Sequence, residues 1–513
     1  MSSSLSQLEL AAAIVTIGAL ALGIKYIRRE ARITPPGPPP RPIIGNLLDI
    51  PKREQWLVYQ EWSREYGSDV IHLNVLGTDI LLVNSAQAAS ALLGTKSAIY
   101  SDRPRMTMLG ELVSLNWHFG FMPHGNVWRN HRKVFTQEFS ASAVLRYQEN
   151  ELQWTNQFLR NLLSLPEHFT EHIQHMASGI VLETTFGLQV QPSGDPDPFI
   201  AAAKQAVEAM TETGLFGTYI VDYLPILKYI PVWVPYVTFK KQAREWKKSS
   251  DIAAHVPFNI LKTRMAEAHY VPSVGSKLLS NGESVDETII RQATAAMFAS
   301  GSAATVSALT TFFLAMRLYP EVQCKAQKEI DQVVAGRWRL PNFSDEPNLP
   351  YITAIIREIG RWNPVAPLAF PHMLSTDDEY NGYYLKAGSV VFPNTWAILH
   401  DPAVYPDPHV FKPERFLTDD GNLNLRVKDP EATWGYGRRS CPGRKMATSS
   451  MYIAIATTLA AFDISPAVDS TRNPIEPSGE YGSGMLRYPK AFECTIKVRS
   501  PEMAALISAT TSD

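Results

Sequence analysis

The sequence predicts a mainly α-helical fold with small β sheets, built as one large domain behind a single N-terminal transmembrane helix. Three observations carry this expectation. Residues 10–24, LAAAIVTIGALALGI, are apolar and uncharged; most of the later chain has helical periodicity; and no second linker interrupts it between Gly45 and Lys497.

Composition narrows the function classes. The 513 residues are 45% hydrophobic and 10% aromatic, enough to bury a large core. A net charge of −2 without long charge runs argues against a nucleic-acid partner. Cys324, Cys441 and Cys494 are odd in number and scattered, which argues against a disulfide framework and suits a reducing compartment.

The apolar run at 10–24 is just long enough to span a bilayer, with Lys25 and Tyr26 able to snorkel beyond it. A cleaved signal peptide is the competing reading. It would place positive charge before the run, whereas Lys25, Arg28, Arg29 and Arg32 all follow it, so a retained anchor with the body on the cytosolic side is expected. The segment TPPGPPPRP, Thr34 to Pro42, reads as a semi-rigid extended spacer. The division is therefore an anchor at 1–27, a basic and proline-rich hinge at 28–45, and a globular domain at 46–513.

Further on, DVIHLNVLGTDILLVNS (Asp69 to Ser85) has two β-rich runs around Gly77-Thr78, a hairpin pattern that NGYYLKAGSVVFPN (Asn381 to Asn394) repeats. A helix of more than thirty residues is expected from Ser284 to Tyr319, opened by the capping box Ser284-Val-Asp-Glu287 and stopped by Pro320. Such a helix is central in a globular body. Gly301 in its middle costs about 1 kcal/mol relative to alanine, which suggests a close approach to the backbone there.

The chemistry concentrates in WGYGRRSCPGRK, Trp434 to Lys445. Gly437 and Gly443 permit tight backbone geometry, Pro442 stiffens the turn, and Arg439 puts a cation two residues before the sulfur of Cys441. Backbone N–H groups in such a loop favour the ionised sulfur that a metal ligand requires. The nearby second Cys or His that structural zinc needs is missing. Haem iron needs one axial thiolate, which a lone cysteine supplies; a buried cysteine in a glycine-rich loop is the plain alternative. Two more segments bear on it. In Pro350-YITAIIREIGRWN-Pro364, Glu358 and Arg361 share a helix face at i,i+3, and in Phe411-Lys-Pro-Glu-Arg415-Phe416 a second arginine sits among aromatics and prolines.

Together these motifs resemble the cytochrome P450 family, and within it the membrane-bound fungal enzymes of secondary metabolism, such as those similar to O-methylsterigmatocystin oxidoreductase and tryptamine hydroxylase. The likeness runs from the anchor and proline hinge almost to the C-terminus. It implies the cytochrome P450 fold, haem b with Cys441 as the axial ligand to the iron, and Glu358, Arg361 and Arg415 as a structural triad bracing the haem-side core. Trp128 and Arg132, in WRNHR, resemble the pair that meets one haem propionate; His372 and Arg439 match positions that meet propionates as well. Trp434, where the family usually has Phe, and Gly435 open the cysteine loop and complete the cofactor-binding set. Trp434 either fills the phenylalanine's place or donates its indole N–H to the sulfur.

One departure concerns catalysis. Met297-FASGSAAT aligns with the segment in which the family carries an acid and an alcohol that organise water for proton delivery, and here those positions are Ala303 and Ala304. Ser300, one turn before Ala304, and Thr305 are the expected catalytic substitutes, with a substrate hydroxyl as the alternative. By the same resemblance the substrate is lined by Met106 to Phe121, Ala295 to Thr305, Val365 to Phe370 and Ser483 to Leu486, all mostly apolar. Leu224 to Tyr236 either dips into the membrane beside the substrate entrance or is a buried loop. Arg129, Lys133, Arg438, Arg444 and Lys445 form an expected basic face for a reductase.

The implied activity is that of a haem-thiolate monooxygenase in the endoplasmic reticulum membrane, inserting one oxygen atom from O2 into a small lipophilic terpenoid or aromatic metabolite, mostly by hydroxylation. Electrons come from NADPH through a partner NADPH–cytochrome P450 reductase. The alternatives are an isomerase or dehydratase without oxygen activation, motivated by Ala303 and Ala304, and a haem-binding protein without turnover.

Overall fold

The computed structural model describes residues 33–191, 197–234, 237–281, 285–334, 339–469, 471 and 473–510. The expected anchor at 1–27 and the first hinge residues lie outside them. Among the described residues the longer helices are α1 (Gln55–Glu65), α2 (Asn126–Glu138), α3 (Gln148–Ser164), α4 (Phe169–Phe186), α5 (Pro198–Thr213), α6 (Thr238–Ala266), α7 (Glu287–Leu318), α8 (Pro320–Val334), α9 (Pro350–Trp362), α10 (Arg444–Ala461) and α11 (Pro501–Ala509). The strands are β1 (Val70–Val75), β2 (Thr78–Val83), β3 (His372–Met373), β4 (Asp378–Tyr380), β5 (Tyr383–Leu385), β6 (Val390–Pro393), β7 (Phe462–Pro466) and β8 (Cys494–Val498). The protein is mainly helical with small sheets, as expected. One apolar cluster runs from Trp56 to Ile507 and ties the helices to the larger sheet.

Helix α7 is the axis of that cluster and packs on α4, α6, α2, α5 and α10. Its apolar residues face every side, which is why most of its length is buried. It is, among the described residues, the one helix long and apolar enough to cross a membrane, but 83% of its apolar window is buried, so it is a core helix. Its start corrects the expected cap. Asp286, not Ser284, accepts from Thr288 N, and Ser284 lies outside the described residues. The close neighbour expected at Gly301 is Val181 of α4, whose methyl carbon would lie 3.0 Å from an added Cβ.

The first hairpin forms as expected, with Val70 opposite Val83 and Val75 opposite Thr78. The second expected hairpin does not. Its two runs belong to different sheets: β5 pairs with β4 across Asn381-Gly382, whose φ values of 50° and 78° fit a two-residue hairpin turn. Strand β6 instead lies parallel to β2 and antiparallel to β3, giving a four-stranded sheet in the order β1-β2-β6-β3. The proline-rich stretch is docked rather than free. Pro36 O accepts from His72 N at 3.0 Å, Asn46 Nδ2 donates to Pro38 O at 3.0 Å, and Ile33 O accepts from Tyr384 N at 2.7 Å.

Helix α9 shows how local sequence positions chemistry. Pro350 starts it at no hydrogen-bond cost, its apolar side enters the core, and Asn363, held extended before Pro364, ends it. Glu358 and Arg361 fall on the buried side and are 0% exposed.

Candidate active site

Cys441 sits between a short helical turn, Gly437–Arg439, and the first turn of α10. Gly437 is required there: its φ is 50°, and a Cβ would meet Leu93 O at 2.0 Å. Cys441 N donates to Trp434 O at 2.6 Å, closing the loop on itself. Burial pushes the thiol pKa up, while the backbone N–H groups of Gly443 and Arg444 and the Arg132 guanidinium oppose it. The residue is nonetheless exposed. Accessible surface together with desolvation is what a side chain on the wall of an interior space has.

A second wall is α7. From Ala293 to Arg317 every residue is buried except Ser300, Gly301 and Ala304, a single stripe at i, i+1 and i+4. Thr305 is off that stripe, buried, with its hydroxyl donating to Gly301 O at 2.8 Å. Of the two expected catalytic hydroxyls, only that of Ser300 is on the accessible stripe.

Residues 118–122 join the two walls. His118 Nε2 lies 2.7 Å from Ser300 Oγ, Arg439 donates to Phe119 O at 3.4 Å and Met122 O at 2.7 Å, and Arg103 Nε donates to Gly120 O at 2.8 Å. The Arg439 guanidinium also stacks 4.3 Å from the ring centre of Trp128. Around this junction cations are crowded. Arg439 is held down to about 9 by burial and by Arg132, against Asp102; Arg103 is pushed well below its ordinary value by burial and by Arg439; Arg132 is lowered by burial. Among the described residues, Asp102 is the carboxylate that acts on Arg103 and Arg439. A desolvated cluster of guanidinium groups with one acid is a ready receptor for further carboxylates.

His372 is buried beside them, but its Nδ1 donates to Tyr100 O at 2.7 Å. Burial, Arg103 and Arg439 lower the ring's pKa, and Nε2 is left as the nitrogen that would meet a propionate, whose charge acts against that shift. Arg103, missed by sequence reasoning, is a further donor beside it. It sits in Ser101-Asp-Arg-Pro104, turn residues that suggest exposure, and nothing local signals its bonds to Phe370 O and Pro371 O. His118 was missed for the same reason, being one polar residue in an aromatic run.

The triad positions do meet. Arg361 forms a two-point pair with Glu358, Nε to Oε2 at 2.7 Å and Nη2 to Oε1 at 2.8 Å, and Arg415 Nε reaches Glu358 Oε1 at 3.1 Å. Arg361 also donates to the carbonyls of Leu399, Pro408 and Val410. This knot fixes the segment leading into the cysteine loop.

Trp434 is half-buried and linked to Cys441 through its carbonyl; the N–H groups acting on the sulfur are those of Gly443 and Arg444. Gly435 has φ 80° and turns the chain out of the preceding helical turn. Of the basic face, Arg129, Lys133, Arg438 and Lys445 are exposed, whereas Arg444 is half-buried and paired with Asp429 at 3.4 Å. Ile226, Tyr229 and Trp233 are 69%, 70% and 82% exposed, so this part of Leu224 to Tyr236 is a surface and not a buried loop; Pro235 and Tyr236 lie outside the described residues.

A lone accessible cysteine under two backbone N–H groups, facing a cation cluster short of acids, fits an iron porphyrin with two carboxylates. Comparison with known proteins agrees. The model of the family described as Cytochrome P450 matches residues 35–495. Cytochrome P450 monooxygenase 98 of Postia placenta is 41% identical over 96% of this chain and 96% of its own. Cytochrome P450 monooxygenase ple1 of Rhodocybe pseudopiperita is 39% identical, covering 96% and 94%, and tryptamine 4-monooxygenase of Psilocybe cyanescens 37% identical, covering 94% and 96%. With the family matched over nearly the whole described chain, and relatives at this identity named as monooxygenases, the chain belongs to the cytochrome P450 family of monooxygenases.

Proposed function

We propose that the enzyme inserts one oxygen atom of O2 into a small lipophilic secondary metabolite, a terpenoid or an aromatic compound, with electrons from NADPH through a reductase at the endoplasmic reticulum membrane. The observation that carries this reading is Cys441, accessible on an interior wall and capped by the N–H groups of Gly443 and Arg444. Haem bound there supplies the iron that activates dioxygen. The two N–H groups temper the sulfur's electron donation and stabilise its ionised form. Arg132, Arg439, His372 and Arg103, with Trp128 packed on Arg439, take the haem carboxylates, His372 through Nε2 with its Nδ1 held on Tyr100 O. Glu358, Arg361 and Arg415 hold the cysteine loop's approach. Ser300 holds a water or a substrate oxygen on the accessible stripe of α7.

Apolar walls from 106–121 and α7 favour a lipophilic substrate. The relative named for tryptamine brings aromatic amines within the proposed range. The exposed basic residues Arg129, Lys133, Arg438 and Lys445 suit an acidic reductase, and the apolar run at 10–24 with exposed Trp233 suits a membrane surface.

The test uses microsomes containing the full chain and a fungal reductase, fed terpenes and indoles under heavy-isotope dioxygen. Label in a new, NADPH-dependent product is the expected result. An unlabelled product formed without NADPH would establish the rearrangement reading that Ala303 and Ala304 motivate, and binding without conversion would establish a haem protein without turnover.

A further inference from the structure

Ser300 differs from most of the interior hydroxyl residues of α7. Thr294, Ser302, Thr305 and Thr310 each donate to the carbonyl one turn back, at 2.8, 3.3, 2.8 and 2.7 Å. No such bond is formed by Ser300 among the described residues. Its partner is His118 Nε2 at 2.7 Å, reached across a sequence separation of 182 residues.

The direction of that bond can be derived. Gly120 N donates to His118 Nδ1 at 3.2 Å, so in the neutral ring the proton is on Nε2. Nε2–H therefore donates to Ser300 Oγ, and the serine's own proton is directed elsewhere. The ring is caged, stacked on Phe119 with centres 5.9 Å apart and tilted against Phe121 at 5.5 Å. Gly120 is needed for this: a Cβ there would lie 2.9 Å from the His118 ring. Burial holds His118 down to about 4, so it stays neutral at working pH. It is not a path for protons from bulk water, because its second nitrogen faces a peptide N–H.

We propose that His118 is a positioning residue that fixes Ser300 as a one-way hydrogen-bond donor into the interior space, and that the pair binds an oxygen lone pair there. That lone pair belongs to a substrate hydroxyl or carbonyl, or to a water molecule. The inference rests on the reading that the substrate lies against the accessible stripe of α7. An occupant without an acceptor leaves the Ser300 hydroxyl unpaired, which makes the pair a determinant of specificity.

The haem-loaded full chain and the variants Ser300→Ala, His118→Phe and His118→Gln are titrated with cyclohexanone and with methylenecyclohexane, similar in shape and unequal as acceptors. The ferric haem's spin-state absorbance gives the two affinities, and turnover with a reductase gives the peroxide formed per NADPH. Ser300→Ala and His118→Phe are expected to act alike. His118→Gln, whose amide can donate near the place of Nε2, should retain wild-type behaviour. A ketone affinity about five-fold weaker, with the hydrocarbon unchanged, identifies a substrate oxygen. Unchanged affinities with a several-fold larger peroxide share identify water. Equal weakening of both probes, no change in either readout, or different behaviour of the two knockouts overturns the proposal. The titration needs no turnover. A protein that discriminates the probes through Ser300 but consumes no NADPH would therefore sink the oxygen-insertion reading and leave this one standing.

Discussion

Ala304 occupies a place on the accessible stripe of α7 where a hydroxyl would face the interior directly, and Ala303 beside it is 4% exposed with its carbonyl accepting from Tyr488. The two alanines are thus not equivalent. An acid at 303 would be buried and unpaired, whereas threonine at 304 adds a hydroxyl without desolvating a charge. If Ser300 already supplies the donor, Ala304→Thr should change the product-to-NADPH ratio less than about two-fold, where a positioned proton donor normally contributes on the order of 10² or more. A large gain in coupling would show that the missing alcohol limits this enzyme. Cys441 was singled out by glycine, proline and arginine around a single thiol, but its loop alone left a buried cysteine open, and the segments of Glu358, Arg361 and Arg415 were needed beside it. His118 and Arg103 were not legible, since their partners Ser300 and Phe370 lie 182 and 267 residues away. For His372, residue identity gave the position but not the orientation of the ring, in which Nδ1 is committed to Tyr100 O and Nε2 is left for the expected propionate.

The buried pair on α9 illustrates how a helix can matter through one face. Glu358 and Arg361 are both 0% exposed, and Arg415 is 7%. Removing one partner strands a charge away from water, so Glu358→Ala should destabilise the fold by about 3–5 kcal/mol, read as a lowered unfolding temperature and a smaller haem-bearing fraction. Glu358→Gln, which keeps an acceptor for Lys412 N and Arg415, should fall between that variant and wild type. Equal stability of all three would mean the carboxylate is dispensable. The i,i+3 spacing of this pair was visible in the sequence; its burial followed from the apolar residues flanking it. Helix α7 was equally legible in extent, because an uninterrupted apolar run can only be a core or membrane helix, yet its cap slipped from Ser284 to Asp286 since both residues can cap. The misread second hairpin has a physical reason as well. The turn signal Asn381-Gly382 opens the stretch instead of dividing it, and the later Gly388 only ends β5 before β6 crosses to another sheet.

Across the whole molecule, three desolvated carboxyls, two buried and Glu329 half-buried, set an unusual pH response. Burial pushes Glu151, Asp222 and Glu329 up to about 7 each, although Ser449 and Ser450, Met108 N and Tyr351 N hydrogen-bond to them. Between about 4 and about 7 the folded protein keeps protons that the unfolded chain releases, so this contribution to stability is complete below about 4 and is lost as pH rises through about 7. Relative to the combined Glu151→Gln, Asp222→Asn, Glu329→Gln variant, the wild type's unfolding temperature is expected to fall from pH 5 to pH 8; the buried histidines His118 and His372 push the opposite way in both proteins and cancel in the comparison. An unchanged slope would assign the response to other groups. The four-stranded sheet was not legible, because parallel pairing leaves no local trace in the sequence. That pairing has a consequence for synthesis. Ile80 of β2 waits for Val390, 310 positions later, and at about 5–20 residues per second the ribosome needs roughly 15–60 s to deliver it. For that interval one edge of the emerging hairpin is a bare template open to any passing strand, so newly made chains should depend on chaperones at the ribosome far more than the finished enzyme does.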